Sequence, residues 1–274
     1  VERIMDEVSE ELQSSDFEPL AFELAFGADG QLPAITIREK NGTARVVGKV
    51  DRVDGWLHNG KLYLRVVDYK TGKKSFDLAE LRYGLGLQML LYLFTLKEEG
   101  RALFGGQEIV PAGVLYTPAR EPMLRCTRDT APEKIEKARK KELRRSGMVL
   151  EDPAVLQAME HSALTSPCYL PIAVKKDGAV TGSLASAEQL GKLSKYVDRL
   201  LHEITQEVFA GNIDADPYAR TPQLSACTYC EFASACHFEN GCGSDRMEYI
   251  KATKNDEFWQ HIDEVNGKEA RSDG

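Results

Sequence analysis

The chain has 274 residues, 42% of them hydrophobic and 28% charged, with a formal net charge of −8. This is the make-up of an ordinary globular protein of one large or two small domains. No apolar run nears the roughly 20 residues of a membrane span, and no signal peptide is read, so a cytoplasmic protein without a membrane partner is expected. The acidic balance argues against a free-standing nonspecific nucleic-acid coat, but it leaves room for an acidic catalytic site whose nucleic acid is delivered by a partner.

Residues 1–19 read as the tail of an amphipathic helix, with Val1, Ile4, Met5, Val8 and Leu12 at helical spacing. The chain opens mid-helix without a start signal, which predicts a fragment of something longer. Residues 20–26 and 33–38 read as two strands around an Ala28-Asp29-Gly30 turn. Glu23 is either a solvent-facing strand charge or a further site carboxylate.

The stretch from Gly48 to Tyr92 carries the chemistry. G-K-V-D-R-V-D and V-V-D-Y-K lie on the two arms of a predicted β-hairpin whose turn is Asn59-Gly60. With those two as the central turn residues, His58 faces Lys61 and Asp51 lies opposite Asp68, their Cβ atoms about 5 Å apart. Facing carboxylates repel unless something positive lies between them, and a divalent cation such as Mg²⁺ fits oxygen ligands at this separation. Alternation puts Lys70 on the same face as Asp68. Two carboxylates and an ammonium around one spot suit phosphodiester hydrolysis. The plainer reading of each residue alone is an ordinary cross-strand surface charge. Against it, Leu62, Leu64 and Val66 share the face of Asp68 and Lys70, and isolated charge is costly beside apolar surface.

Thr71-Gly72-Lys73-Lys74 resembles part of a phosphate-binding loop, but Val67 stands where the first glycine should be and Lys74 where Ser or Thr should be, so no ATP hydrolysis is expected. A helix over 77–98 is predicted to be apolar nearly all round and therefore buried. Within it Gln88 and Tyr92 stand four residues apart, Gln88 being either a satisfied core amide or a group aimed at the site. Gly84 and Gly86 would be explained by close backbone approach. Residues 109–117 read as a further buried strand, giving a central sheet flanked by helices.

From Pro132 a basic helix runs to Ser146-Gly147, read as a solvated face or a phosphate-tracking one. Asp152-Pro153 opens a short helix to about His161, and Lys175-Lys176-Asp177-Gly178 marks a turn. Ser186 with Gln189 forms a capping-box pattern starting a long helix that ends before Gly211. Cys227-x-x-Cys230-x5-Cys236 points to metal or iron–sulfur ligation more than to disulfides. Cys242 or His237 could complete a zinc site instead, and a redox pair is the remaining alternative. Cys126 and Cys168 stand alone and are read as buried small apolar residues.

The ordered set G-x-x-D-R-x-D, hairpin, D-Y-K and Q-x-x-x-Y (Gln88 to Tyr92) resembles the RecB-type branch of the PD-(D/E)xK nucleases. With the cysteine triplet following, it is similar to nuclease domains of the AddB kind, from about Glu18 to Cys236. The resemblance implies a restriction-endonuclease-like α/β core, with a central mixed β-sheet flanked by helices and a C-terminal cysteine-cluster segment. It implies one nuclease domain over 1–274, with its core at about 18–120, a helical insertion at about 130–212 and the cysteine segment at about 213–250. Asp51, Asp68 and the Tyr69 backbone carbonyl would hold Mg²⁺, or Mn²⁺ in its place. Lys70 would position the attacking water. Gln88 would orient Lys70 or a phosphate, with Tyr92 packing behind it.

Cys227, Cys230 and Cys236 would hold a [4Fe–4S] cluster together with an upstream cysteine that would have to precede Val1. The family's upstream histidine has no counterpart in Val1–Ser14. The implied activity is that of a metal-dependent DNA exonuclease acting on a single strand, beside an AddA-like helicase–nuclease subunit that processes double-strand breaks for recombinational repair. Two alternatives are a non-catalytic nuclease-like clamp for DNA or a partner, and a CRISPR-adaptation iron–sulfur exonuclease. Proteins of the last kind are shorter and carry their first cysteine near the start, whereas Cys126 is the earliest here.

Overall fold

A computed structural model describes residues 2–272; Val1, placed above on the first helix, lies outside the described residues. The chain forms two compact units. The first comprises Val1–Thr36, Arg45–Phe76 and Gln88–Ser194, and the second Ile37–Ala44, Asp77–Leu87 and Lys195–Gly274.

In chain order the elements begin with α1 (Glu2–Gln13), β1 (Glu18–Phe26), β2 (Ile35–Glu39), β3 (Gly42–Val46), β4 (Gly48–His58) and β5 (Lys61–Lys70). Next come α2 (Leu78–Arg82), α3 (Gln88–Glu99), β6 (Glu108–Pro118), α4 (Pro132–Glu142), β7 (Ser146–Leu150) and α5 (Pro153–Met159). The short strands β8 (Ile172–Val174), β9 (Val180–Gly182) and β10 (Leu184–Ala185) lead into α6 (Ala187–Ala210). The chain continues through β11 (Tyr218–Thr221), β12 (Leu224–Ser225), α7 (Ala233–Cys236), β13 (Glu248–Tyr249) and α8 (Asn255–Ser272).

The first unit is built on a mixed sheet of order β1-β4-β5-β6-β7-β10, with β5 and β6 parallel and β4 antiparallel to both β1 and β5. Helix α3 packs on β5 and β6. It buries Met89, Leu90, Leu93 and Leu96, which accounts for a helix apolar on several sides. The expected α/β core with a mixed sheet is present. The hairpin turn is also as expected: Asn59 and Gly60 have φ of 50° and 75°, the left-handed pair of a two-residue turn, and His58 pairs with Lys61. The capping box closes too, with Gln189 N donating to Ser186 Oγ at 3.1 Å and Ser186 N to Gln189 Oε1 at 2.8 Å.

Four expectations need correction. The predicted helix over 77–98 is two helices, because Gly84 and Gly86 take φ of 73° and 70° and the helix cannot run through them. These glycines serve the backbone conformation and not a close approach, since a Cβ at either would meet nothing nearer than 3.7 Å. The stretch 130–212 is not simply helical: the apolar run Met148-Val149-Leu150 forms β7 beside β6, and β10 joins it in parallel. Helix α1 does not bury its apolar stripe. Met5 is 62% exposed while Glu7 and Glu11 are buried, because arginines from other elements meet them. Finally, Cys126 is exposed and Cys168 half-buried, so neither is a core residue.

In the second unit β11 lies between β12 and β13. Asp77 caps α2 by accepting from Ala79 N at 2.8 Å, and Arg220 pairs with Asp77 and Glu80. Helix α8, which none of the sequence patterns above marks, buries Phe258 and Ile262 completely.

Candidate active site

The β4–β5 ladder keeps one register from His58↔Lys61 back to Arg52↔Val67. One step further, where ladder pairing ends, the positions of Asp51 and Asp68 fall opposite each other. Alternation divides the hairpin into two chemically different faces. Asp51, Asp68 and Lys70 share one face with Val53, Leu64 and Val66, which are fully buried. Arg52, Asp54, Arg65 and Tyr69 share the other.

On the first face Asp68 is 6% exposed and its Oδ2 lies 2.6 Å from Lys70 Nζ. That oxygen is buried with no well-angled hydrogen bond. Asp51 is half-buried, and its Oδ2 accepts from the Tyr69 backbone N–H at 2.9 Å, so Asp51 ties the end of β4 to the Asp68-Tyr69-Lys70 segment. Lys70 Nζ also lies 5.8 Å from the Tyr116 ring centroid, and the Lys70 carbonyl accepts from Ala119 N at 2.8 Å. Two carboxylates and a backbone carbonyl form a hard oxygen donor set, and the buried Asp68 Oδ2 without a proper donor is the kind of atom a cation satisfies. The set fits a Mg²⁺ that takes one or two carboxylates and completes its shell with water and substrate phosphate. Among the described residues no three His, Cys, Asp or Glu side chains are gathered as a metal group.

Gln88 and Tyr92 do meet, although not in the way expected. Gln88 is exposed and donates from Nε2 to the Tyr92 hydroxyl at 3.0 Å, so the amide bonds to Tyr92 and not to Lys70. The same hydroxyl accepts from Lys49 N at 3.3 Å, and the Tyr92 ring stacks on Phe26 at 5.3 Å between centroids. Gln88 and Tyr92 therefore brace the strand leading to Asp51. Glu23, the alternative carboxylate, sits opposite Asp51 in the β1–β4 register with φ of 52°, but its exposed side chain pairs with Lys49.

The opposite face holds a cluster that sequence reasoning missed. Arg52 and Asp54 are paired at 2.8 and 3.0 Å, and Arg65 Nε donates to Asp54 Oδ2 at 2.8 Å. Arg145 donates twice to Glu11 Oε2, at 2.6 and 3.2 Å, while Arg65 Nη2 lies 3.7 Å from Glu11 Oε1. All five side chains are at most 4% exposed. Burial alone would push the Glu11 pKa up, but Arg145, Arg65 and Arg52 outweigh it and hold the carboxyl below its ordinary value. Tyr69 joins this cluster: Arg52 Nη1 donates to its hydroxyl at 2.6 Å, and burial raises its pKa despite that cation. The missed signal was available. The register that pairs His58 with Lys61 also puts Arg65 opposite Asp54, inside strands that are otherwise apolar.

The cysteines lie in the second unit. Cys227 is half-buried and Cys230, Cys236 and Cys242 are exposed. The segment turns tightly, with Cys230 N donating to Cys227 O at 3.3 Å and Cys236 N to Phe232 O at 2.8 Å. As placed, the three sulfurs are not gathered into a ligand group.

A carboxylate pair and a lysine at the open end of a hairpin in a mixed sheet are the parts of a PD-(D/E)xK site, and comparison with known proteins agrees. A profile of the PD-(D/E)XK nuclease superfamily matches residues 1–237, and the chain belongs to that superfamily. It is 33% identical over 265 residues to an ATP-dependent helicase/deoxyribonuclease subunit of Ruminiclostridium cellulolyticum, covering 96% of the chain and 23% of that protein. It is 36% identical over 255 residues to the protein of the same name from Acetivibrio thermocellus, covering 92% and 22%. The one from Clostridium botulinum strain Hall is 34% identical over 261 residues, covering 93% and 22%. The chain thus spans less than a quarter of the length of these relatives.

Proposed function

We propose that this chain is a metal-dependent deoxyribonuclease domain that hydrolyses phosphodiesters of a single DNA strand within a helicase–nuclease assembly. The observation that carries the reading is the placement of Asp51, Asp68 and Lys70 on one sheet face, with Lys70 Nζ 2.6 Å from Asp68 Oδ2. Asp51, Asp68 and the Tyr69 carbonyl are the groups that would hold Mg²⁺, or Mn²⁺ in its place. When bound, that ion supplies Lewis-acid polarisation of the phosphoryl oxygen and acidifies water.

The chain's own residues do the rest. Asp51 fixes the Tyr69 backbone, so the carbonyl and the two flanking side chains keep one geometry. Asp68 holds the Lys70 ammonium on the site face. From there Lys70 donates to the attacking water and to the phosphoryl oxygen that gains charge. Water oxygen bonds to phosphorus as the bond to the leaving oxygen breaks, and the water's proton passes to solvent through the carboxylates. Gln88 and Tyr92 keep Lys49, and with it Asp51, in line.

The wider setting follows from the relatives' names. A partner motor of the AddA kind would feed the strand and make cleavage exonucleolytic, in the cytoplasmic setting of break repair, with 1–274 acting as one nuclease domain. No helix among the described residues is long and apolar enough to cross a membrane. Cys227, Cys230 and Cys236 supply soft thiolates at C-x2-C-x5-C spacing, the chemistry of a [4Fe–4S] site whose fourth ligand is not among them. Iron and sulfide content of the purified protein tests that part.

The central test is cleavage of end-labelled single-stranded DNA with Mg²⁺ and with EDTA, by wild type and Asp68→Ala. Metal-dependent cleavage lost in the variant, with DNA binding retained, is expected. A wild type that binds but never cleaves would make the fold a clamp.

A further inference from the structure

Beyond Lys70, the carboxyl ends of the parallel strands β5 and β6 and the start of β7 enclose a cavity of about 200 Å³. Six of its eleven lining residues are cations (Lys70, Lys73, Lys74, Arg120, Lys141 and Arg144), against the single carboxylate of Glu142. In a chain of net charge −8, so one-sided a lining stands apart from the general surface. Glu142 lies 3.4 Å from Lys73 and 3.8 Å from Arg120, which leaves the positive charge well in excess. Arg144 is held by donation to the carbonyls of Ile172, at 3.2 Å, and Pro167, so part of this charge is fixed by backbone.

The ladders tie the cavity to the site. Tyr116 pairs with Asp68 in the parallel ladder and with Ser146 in the antiparallel one, so the cavity floor continues the face that carries Asp51 and Asp68. Phe76 N donates to Ser146 Oγ at 2.7 Å, which returns the loop bearing Lys73 and Lys74 to the start of β7. Lys70 belongs to both places: it pairs with Asp68 and lines the cavity.

We propose that this cavity is an anion subsite holding a backbone phosphodiester of the substrate strand next to the one being cut. The proposal rests on the nuclease reading of Asp51, Asp68 and Lys70. Lysines at the rim are flexible point charges suited to phosphate and blind to base identity, so the subsite sets the register of the strand without selecting sequence. It also gives an acidic protein a local means of keeping DNA against its carboxylates.

The test uses the 274-residue chain and a fluorescent oligothymidylate. Binding to Asp68→Ala in EDTA is followed across a salt series, with and without the pair Lys73→Ala and Lys141→Ala. Each single-strand phosphate contact contributes about 0.7 to the slope of log K against log salt, so loss of two contacts flattens it by about 1.4. In the cleaving chain the same pair raises KM several-fold and leaves kcat in place, and melting is unmoved because both lysines are exposed. An unchanged slope and KM overturn the subsite, whether or not the wild type cleaves. Absence of cleavage with a flattened slope refutes the nuclease reading and supports the subsite on its own. Displacement of the strand by inorganic triphosphate, at concentrations comparable to the strand's own Kd, overturns the assignment to DNA in favour of a free polyphosphate.

Discussion

The Arg52 guanidinium donates to the Tyr69 hydroxyl at 2.6 Å, on the sheet face opposite Asp51 and Asp68. Tyr69 lies between Asp68 and Lys70, so a bond on the buried face fixes a segment whose chemistry is displayed on the other. Arg52 is itself immobilised by Asp54. The arrangement explains why an arginine and an aspartate stand at alternate positions after Asp51 in G-K-V-D-R-V-D: Asp51 points to one face, while Arg52 and Asp54 anchor from the other.

Tyr69→Phe tests this. The substitution keeps the ring and the backbone carbonyl and removes only the acceptor, leaving a buried donor of Arg52 short of a partner at a cost of about 1–3 kcal/mol. A small shift of the Asp68–Lys70 segment is expected to lower kcat by up to about a hundredfold, with KM little changed. Thermal melting and steady-state cleavage of an oligonucleotide measure the two effects. Full activity in Tyr69→Phe would show that the buried bond does not position the site.

Gly48, the first residue of the same motif, has a steric reason. A Cβ there would come within 2.5 Å of the Tyr92 hydroxyl and 2.9 Å of its Cε1. The ring cannot retreat without giving up its stack on Phe26 and the Lys49 N–H it accepts. Gly48→Ala is expected to destabilise by about 1–3 kcal/mol, the usual range for overpacking. Tyr92→Phe removes the nearest atom, so the double variant should lose less than the two single variants combined. A double-mutant cycle by urea denaturation reads that coupling, and strict additivity would place the strain elsewhere.

The hairpin was legible in the sequence because a two-residue Asn59-Gly60 turn leaves one register, and that register alone puts Asp51 against Asp68 and Lys70 beside them. Local pattern misled where it disagreed with the tertiary partner. The apolar count over 77–98 promised one helix, but two left-handed glycines outweigh apolar periodicity in setting where a helix stops. Gln88 and Tyr92 could be paired from their spacing, yet their link to Lys49 N required the fold. For α1, periodicity assigned burial to Met5 and its neighbours, although the face that is buried carries Glu7 and Glu11. Their partners Arg139 and Arg145 lie more than a hundred residues away, beyond the reach of any local window. The cation-lined cavity was hidden for the same reason: Lys70, Arg120 and Arg144 are brought together by strand order and not by any run of basic sequence.

Glu11 turns that distant pairing into a pH dependence. Its carboxyl is 1% exposed and meets Arg145 at 2.6 Å, with Arg65 at 3.7 Å. Burial works against ionisation, but the guanidinium groups prevail, and the folded pKa lies below the ordinary 4.5. A carboxyl whose pKa is lower folded than unfolded contributes stability that is complete above the unfolded value and is lost as pH falls through the folded one. Glu11→Gln should therefore destabilise the protein near neutral pH by about 3–5 kcal/mol, because it leaves Arg145 and Arg65 buried without their counter-charge. As pH drops below 4.5, the wild-type carboxyl protonates and the difference between the two proteins should shrink. Urea denaturation at neutral pH and at successive acid steps measures this. A gap that stays constant into acid would mean that packing of α1, and not the charge on Glu11, holds the helix to the sheet.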